Sequence, residues 1–75
     1  MSRTRKDPVC VTFGKNVRRL RVLQGFSQED FADISNVHRT YIGGIERGER
    51  NPTLTTIHKI AKALNIPMRE LFLET

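Results

Sequence analysis

An all-α fold of five short helices in one domain is what this 75-residue sequence predicts, and three observations carry the prediction. Apolar residues recur every three or four positions in five successive windows, the period of one helix side. Four of the windows are preceded by a residue that starts helices, Thr12, Ser27, Thr53 or Pro67, and four are followed by one that stops them, Gly25, Asn36, Gly48 or Asn65. No stretch of useful length alternates apolar and polar residues as a half-buried strand does.

The first nine residues are polar, with Arg3, Arg5 and Lys6 ahead of Pro8, and have nothing to bury. Residues 1–11 are therefore read as a flexible basic arm, and residues 12–75 as the domain. Thr12 is placed to cap a first helix from about Phe13 to Gln24, with Phe13, Val17, Leu20 and Gln24 on its packing face. Lys15, Arg18, Arg19 and Val22 fall on the solvated side, and Gly25 supplies a stop. Ser27 caps a second helix, Gln28 to about Ser35, with Asp30 in the position of an acidic capping box. Phe31, Ala32 and Ile34 form its packing face. Asn36 sits where the next turn needs a left-handed residue, which Asn tolerates. A third helix runs from His38 or Arg39 to Arg47, pinned by Val37, Ile42 and Ile45 and ended by Gly48. Asn51 and Pro52 make a loop. Thr53 then caps a fourth helix, with Leu54, Ile57, Ile60, Ala61 and Leu64 in register until Asn65. Pro67 opens a fifth, Met68 to Phe72.

Thirteen Lys and Arg against eight acids leave a net charge of +5 and favour a polyanionic partner. No apolar run approaches the roughly 18 residues that cross a membrane, and no apolar core follows the basic start as in a secretory signal. Cys10 has no second cysteine to pair with. His38 and His58 have no partners at ligand spacing, so neither a metal nor a cofactor is expected. A glycine-rich phosphate loop and a Ser/His/Asp set are also missing, which argues against an enzyme and a small-molecule substrate. The chain reads as a cytoplasmic protein.

The second and third helices are joined by only three or four residues, and a link that short forces them to cross steeply as a helix-turn-helix. With Ile42 and Ile45 turned to the core, Thr40, Gly43, Gly44 and Arg47 point away from it, flanked by Arg39 and Tyr41. Arg39, Thr40, Gly43 and Gly44 are the candidate base readers. An arginine can donate two hydrogen bonds to one guanine, and paired glycines at exposed positions suit close approach of the backbone to a groove floor. Gln28, Tyr41, Arg47, Arg50 and Asn51 are the candidate phosphate contacts, Gln28 at a helix N-terminus and the others around the far end of the reader. Arg3, Arg5 and Lys6 are read as a solubilising tail, with phosphate or minor-groove contacts as the alternative.

Gln28, Ala32, Val37, Ile42 and Ile45-Glu46-Arg47-Gly48, followed by Asn51-Pro52-Thr53 and Ile60-Ala61-Lys62-Ala63-Leu64, resemble the phage repressor/Cro-type helix-turn-helix family. Ser35 to Ile42, with Gly44-Ile45-Glu46-Arg47, is similar to the restriction–modification controller proteins within it. Asn36 departs from the glycine many members carry. The resemblance implies a lambda-repressor-like fold and an Arg21–Glu46 ion pair that holds the third helix at its docking angle. It also implies a homodimeric, autoregulated transcription regulator on a pseudo-palindromic double-stranded DNA operator, its half-sites about 34 Å apart. The C-terminal apolar residues supply the interface: Ile66 and Leu71 are expected mostly inward, and Met68, Phe72 and Leu73 at least partly against the partner. An antitoxin-type or small phage repressor is the alternative within the fold. A protein-interaction module that has lost DNA binding is the alternative outside it, and would replace Arg39, Thr40 and Arg47 with apolar or acidic residues.

Overall fold

The first helix, α1, spans Pro8–Leu23 in the computed structural model, which describes residues 6–74. It begins five residues before the expected Phe13, because the Asp7 carboxylate accepts from the Val9 amide at 3.1 Å and caps the helix ahead of Pro8. Proline suits that first position, where no partner exists for an N–H. Thr12 is accordingly inside α1 and caps nothing. The arm expected over residues 1–11 is shortened: residues 8–11 are helical, and Cys10 is already buried. Arg3 and Arg5 lie outside the described residues. Gly25 adopts φ +83° just past the end of α1.

The second helix, α2, spans Gln28–Ser35, with Ser27 Oγ accepting from the Asp30 amide at 3.0 Å. Asn36 closes it at φ 58° and turns the chain into α3, Arg39–Glu46. His38 Nδ1 accepts from the Thr40 amide at 3.1 Å and caps α3. The fourth helix, α4, spans Leu54–Leu64 between Thr53, whose hydroxyl accepts from the Thr56 amide, and Asn65 at φ 59°. A 3₁₀ helix, Met68–Phe72, takes the place of the expected fifth α-helix. No strand occurs among the described residues.

Phe13, Val17, Phe31, Ile42, Ile45, Ile60, Leu64 and Leu71 form the centre of one core to which every helix contributes. Two residues expected in packing faces are outside it. Ile34 is 50% exposed and Leu54 72% exposed, each at the edge of its helix's apolar stripe and turned past its neighbours. Gln24, also expected in the face of α1, is its exposed C-cap and donates to the Leu64 carbonyl at 2.9 Å. Conversely, the polar Asn16 is buried; its amide donates to the carbonyls of Leu71 at 2.9 Å and Leu73 at 2.8 Å. Those two bonds tie the end of the chain to α1.

α1 and α3 cross backbone to backbone at Gly14. A Cβ there would strike the Ile45 carbonyl oxygen, so only glycine permits the crossing. This contact fixes how far α3 stands from the core.

Candidate nucleic-acid interface

α2, the turn Asn36–His38 and α3 form the helix-turn-helix, with Ile42 and Ile45 fully buried beneath α3. The last residue of α3, Glu46, is held from below. Arg21 Nε donates to Glu46 Oε2 at 2.6 Å and Nη2 to Oε1 at 3.0 Å, while Nη1 donates to the Phe26 carbonyl at 2.7 Å. This two-pronged geometry matches a planar guanidinium to a carboxylate. The bond to Glu46 raises the pKa of Arg21 despite its burial, so the guanidinium stays charged. Glu46 Oε1 also accepts from Gln28 Nε2 at 3.0 Å, which places the first residue of α2 against the end of α3.

On the outer side, Gln28, Arg39, Thr40, Gly43 and Arg47 line one open concavity. Arg39 and Thr40 are exposed at the start of α3 and Arg47 just past its end. A cleft of this make-up offers two guanidinium groups, an amide and a hydroxyl to a polyanion, with a glycine between them.

The two glycines, expected at exposed positions, are both buried by long side chains of the same chain. Over Gly43 lie Arg47, whose guanidinium would be 3.2 Å from a Cβ, and Gln28. Over Gly44 lies Arg50, whose Cγ would be 2.8 Å from a Cβ. Gly43 is still part of the concavity, but Gly44 lies under Arg50 on its flank and is a seat for that side chain. Arg50 also stacks on the Tyr41 ring, Cζ 5.3 Å from the centroid, and Tyr41 is half-buried against the core. Asn51 is exposed in the loop beyond. Arg50 and Asn51 share a second concavity with Lys6, Asp7 and Cys10, where α1 begins. Burial, and secondly the charge of Asp7, push the Cys10 thiol pKa up, which disfavours the thiolate.

Two arginines of the outer side are paired with acids. Arg39 Nη1 donates to Glu29 Oε2 at 2.6 Å, and Arg47 Nε to Glu49 Oε1 at 3.1 Å. Sequence reasoning missed Glu29: its partner is ten residues away on another helix, and its place in the first turn of α2 reads as ordinary dipole compensation.

In the C-terminal segment Met68, Phe72 and Leu73 are exposed, while Leu71 is buried and Ile66 half-buried. Phe72 packs against Phe13 with the rings tilted, centroids 5.3 Å apart, and stays partly exposed. Among the described residues no group of His, Cys, Asp and Glu is placed to hold a metal, and no helix is long and apolar enough to cross a membrane.

The Helix-turn-helix family HTH_3 matches residues 17–71. The control protein C.SmaI of Serratia marcescens is 53% identical over 57 residues, covering 76% of this chain and 68% of that protein. The control protein C.BamHI of Bacillus amyloliquefaciens is 47% identical over 64 residues, covering 84% and 79%. The crystal structure of the restriction–modification controller protein C.AhdI from Aeromonas hydrophila is similar at a TM-score of 0.82 and 51% identity, over 84% of this chain and 96% of that one. The match spans the core, the turn and the outer side of α3 together, and the chain belongs to the helix-turn-helix family.

Proposed function

We propose that the protein is a homodimeric, sequence-specific regulator of transcription that binds double-stranded DNA in the cytoplasm, and that it is the autoregulated controller protein of a restriction–modification system. The observation that carries the reading is the concavity of Gln28, Arg39, Thr40, Gly43 and Arg47 on a helix whose opposite side is locked into the core. Arg39 and Thr40 read base edges, over a floor that Gly43 keeps shallow. Gln28, Arg47, Arg50 and Asn51 contact phosphate on either side and set register. Tyr41 acts through the position of Arg50. The Arg21–Glu46 pair maintains the docking angle of α3. Function here is binding without a chemical step: cationic side chains release counterions, which makes affinity fall with salt.

One reading helix covers too few base pairs for a unique address, and two related by a twofold axis read a pseudo-palindrome. Exposed Met68, Phe72 and Leu73 supply the apolar surface for that pairing. The likeness to C.SmaI, C.BamHI and C.AhdI supports the controller role. Autoregulation would make occupancy of its own promoter steep in protein concentration.

Selection from random duplexes tests the reading. The wild-type protein is expected to enrich one pseudo-palindromic site, and Arg39→Ala to lose about 1–3 kcal/mol of discrimination at one base pair per half-site. Equal selectivity of the variant and the wild type would overturn it. Sedimentation at micromolar concentration is expected to give a dimer, and Phe72→Glu a monomer.

A further inference from the structure

Arg39 stands on a ridge between two concavities of unlike charge. One is the cleft it shares with Gln28, Thr40, Gly43 and Arg47; the other lies at the elbow of α2 and α3, where Glu29 and Asp33 are among the lining residues. Its guanidinium leans towards the acidic side, on Glu29 Oε2. Both side chains are largely exposed, so the pair contributes little to the fold. A carboxylate at this point of a DNA-facing surface also repels phosphate in every register. Its cost to binding is general; its benefit must lie in something specific.

The geometry points to Glu29 as a specificity-determining residue that positions Arg39. A guanidinium is a rigid planar fork with five N–H groups. With Nη1 engaged by Glu29, the edge made by Nε and Nη2 remains available for the two acceptors of a guanine. Glu29 thus restricts rotation of the fork, so that less freedom is lost when the guanine is met. At an incorrect sequence Arg39 is held back from the alternative of gripping a phosphate, and the Glu29 carboxylate makes that alternative worse. Discrimination rises from both sides, by support of the right contact and by opposition to the wrong one.

This rests on the reading of Arg39 as a base contact, and the test separates the two. A duplex enriched by the wild-type protein and a scrambled duplex of the same composition are titrated by fluorescence anisotropy with wild type, Glu29→Gln, Arg39→Ala and the double variant. For Glu29→Gln the scrambled duplex is expected to bind more tightly and the enriched one no more tightly than with wild type, so that their ratio falls about tenfold. In the Arg39→Ala background the same change is expected to leave the ratio unmoved. If Glu29→Gln strengthens both duplexes by one factor, Glu29 is only a repelling charge and the inference fails. It fails equally if the ratio is unchanged, or if it changes as much without Arg39. Loss of folding in Glu29→Gln, read by circular dichroism, would assign Glu29 a structural role and also overturn it. Failure of the underlying reading looks different: wild type and Arg39→Ala would then discriminate equally.

Discussion

Two arginine–glutamate pairs hold the opposite ends of α3 at the same distance of 2.6 Å, one at Glu46 and one at Arg39. The first is sealed, with side chains 9% and 2% exposed; the second is open, at 63% and 70%. Distance therefore says little about what each pair does, and burial says most of it. For Arg21 and Glu46 burial leaves little room for water to replace a lost partner, so loss of one partner falls on the fold. For Arg39 and Glu29 water is always at hand, and the partners can be exchanged at small cost. The end of α3 that must not move has the first kind of pair, and the end proposed to meet bases has the second.

The largest effect expected from breaking this contrast is at Glu46. Glu46→Gln leaves Arg21 charged and uncompensated, and should lower the unfolding free energy by about 3–5 kcal/mol in urea denaturation. Replacing both partners with apolar residues, Arg21→Met with Glu46→Leu, should cost less than the single change, since no buried charge is left behind. A smaller loss, about 1–3 kcal/mol, is expected from Gly14→Ala, because the added methyl group forces α1 away from the α3 backbone beside Glu46. Thermal unfolding reads it as a fall of several degrees. The smallest effect is at the open pair: a double-mutant cycle on stability with Glu29→Gln and Arg39→Gln should give a coupling of about 0.2–1 kcal/mol, shrinking as salt is added. A coupling as large as that of the buried pair would erase the distinction.

Much of the fold was legible in the sequence because helix ends announce themselves. Ser27, Thr53, Gly25, Asn36, Gly48 and Asn65 all stop or start helices where their chemistry predicts. The start of α1 lies ahead of the expected one although its signal, Asp7 before Pro8, is of the same kind; a polar stretch with little to bury reads as a solvated arm. Ile34 and Leu54 show a different limit. Spacing identifies an apolar stripe, but not how far round the helix its neighbours reach.

The candidate interface was legible as a helix and a set of residue types, because the face opposite Ile42 and Ile45 follows from the helical period. Its internal contacts were not. Arg50 over Gly44, Arg47 over Gly43 and Glu29 on Arg39 depend on where long flexible side chains come to rest across elements. Asn16 was hidden for a related reason: its partners, the carbonyls of Leu71 and Leu73, belong to a segment 55 and 57 residues away.

Those bonds from Asn16 make α1 a calliper. Its one rod carries the segment with Phe72 and Leu73 at Asn16 and grips the end of α3 at Arg21, five residues and about 7.5 Å further along. In a dimer built through that segment, the phase between the two reading heads is set by this short length of helix. One inserted residue between the two grips would rotate them relative to each other by about 100°, and no change of loop would restore the match to the operator's pitch.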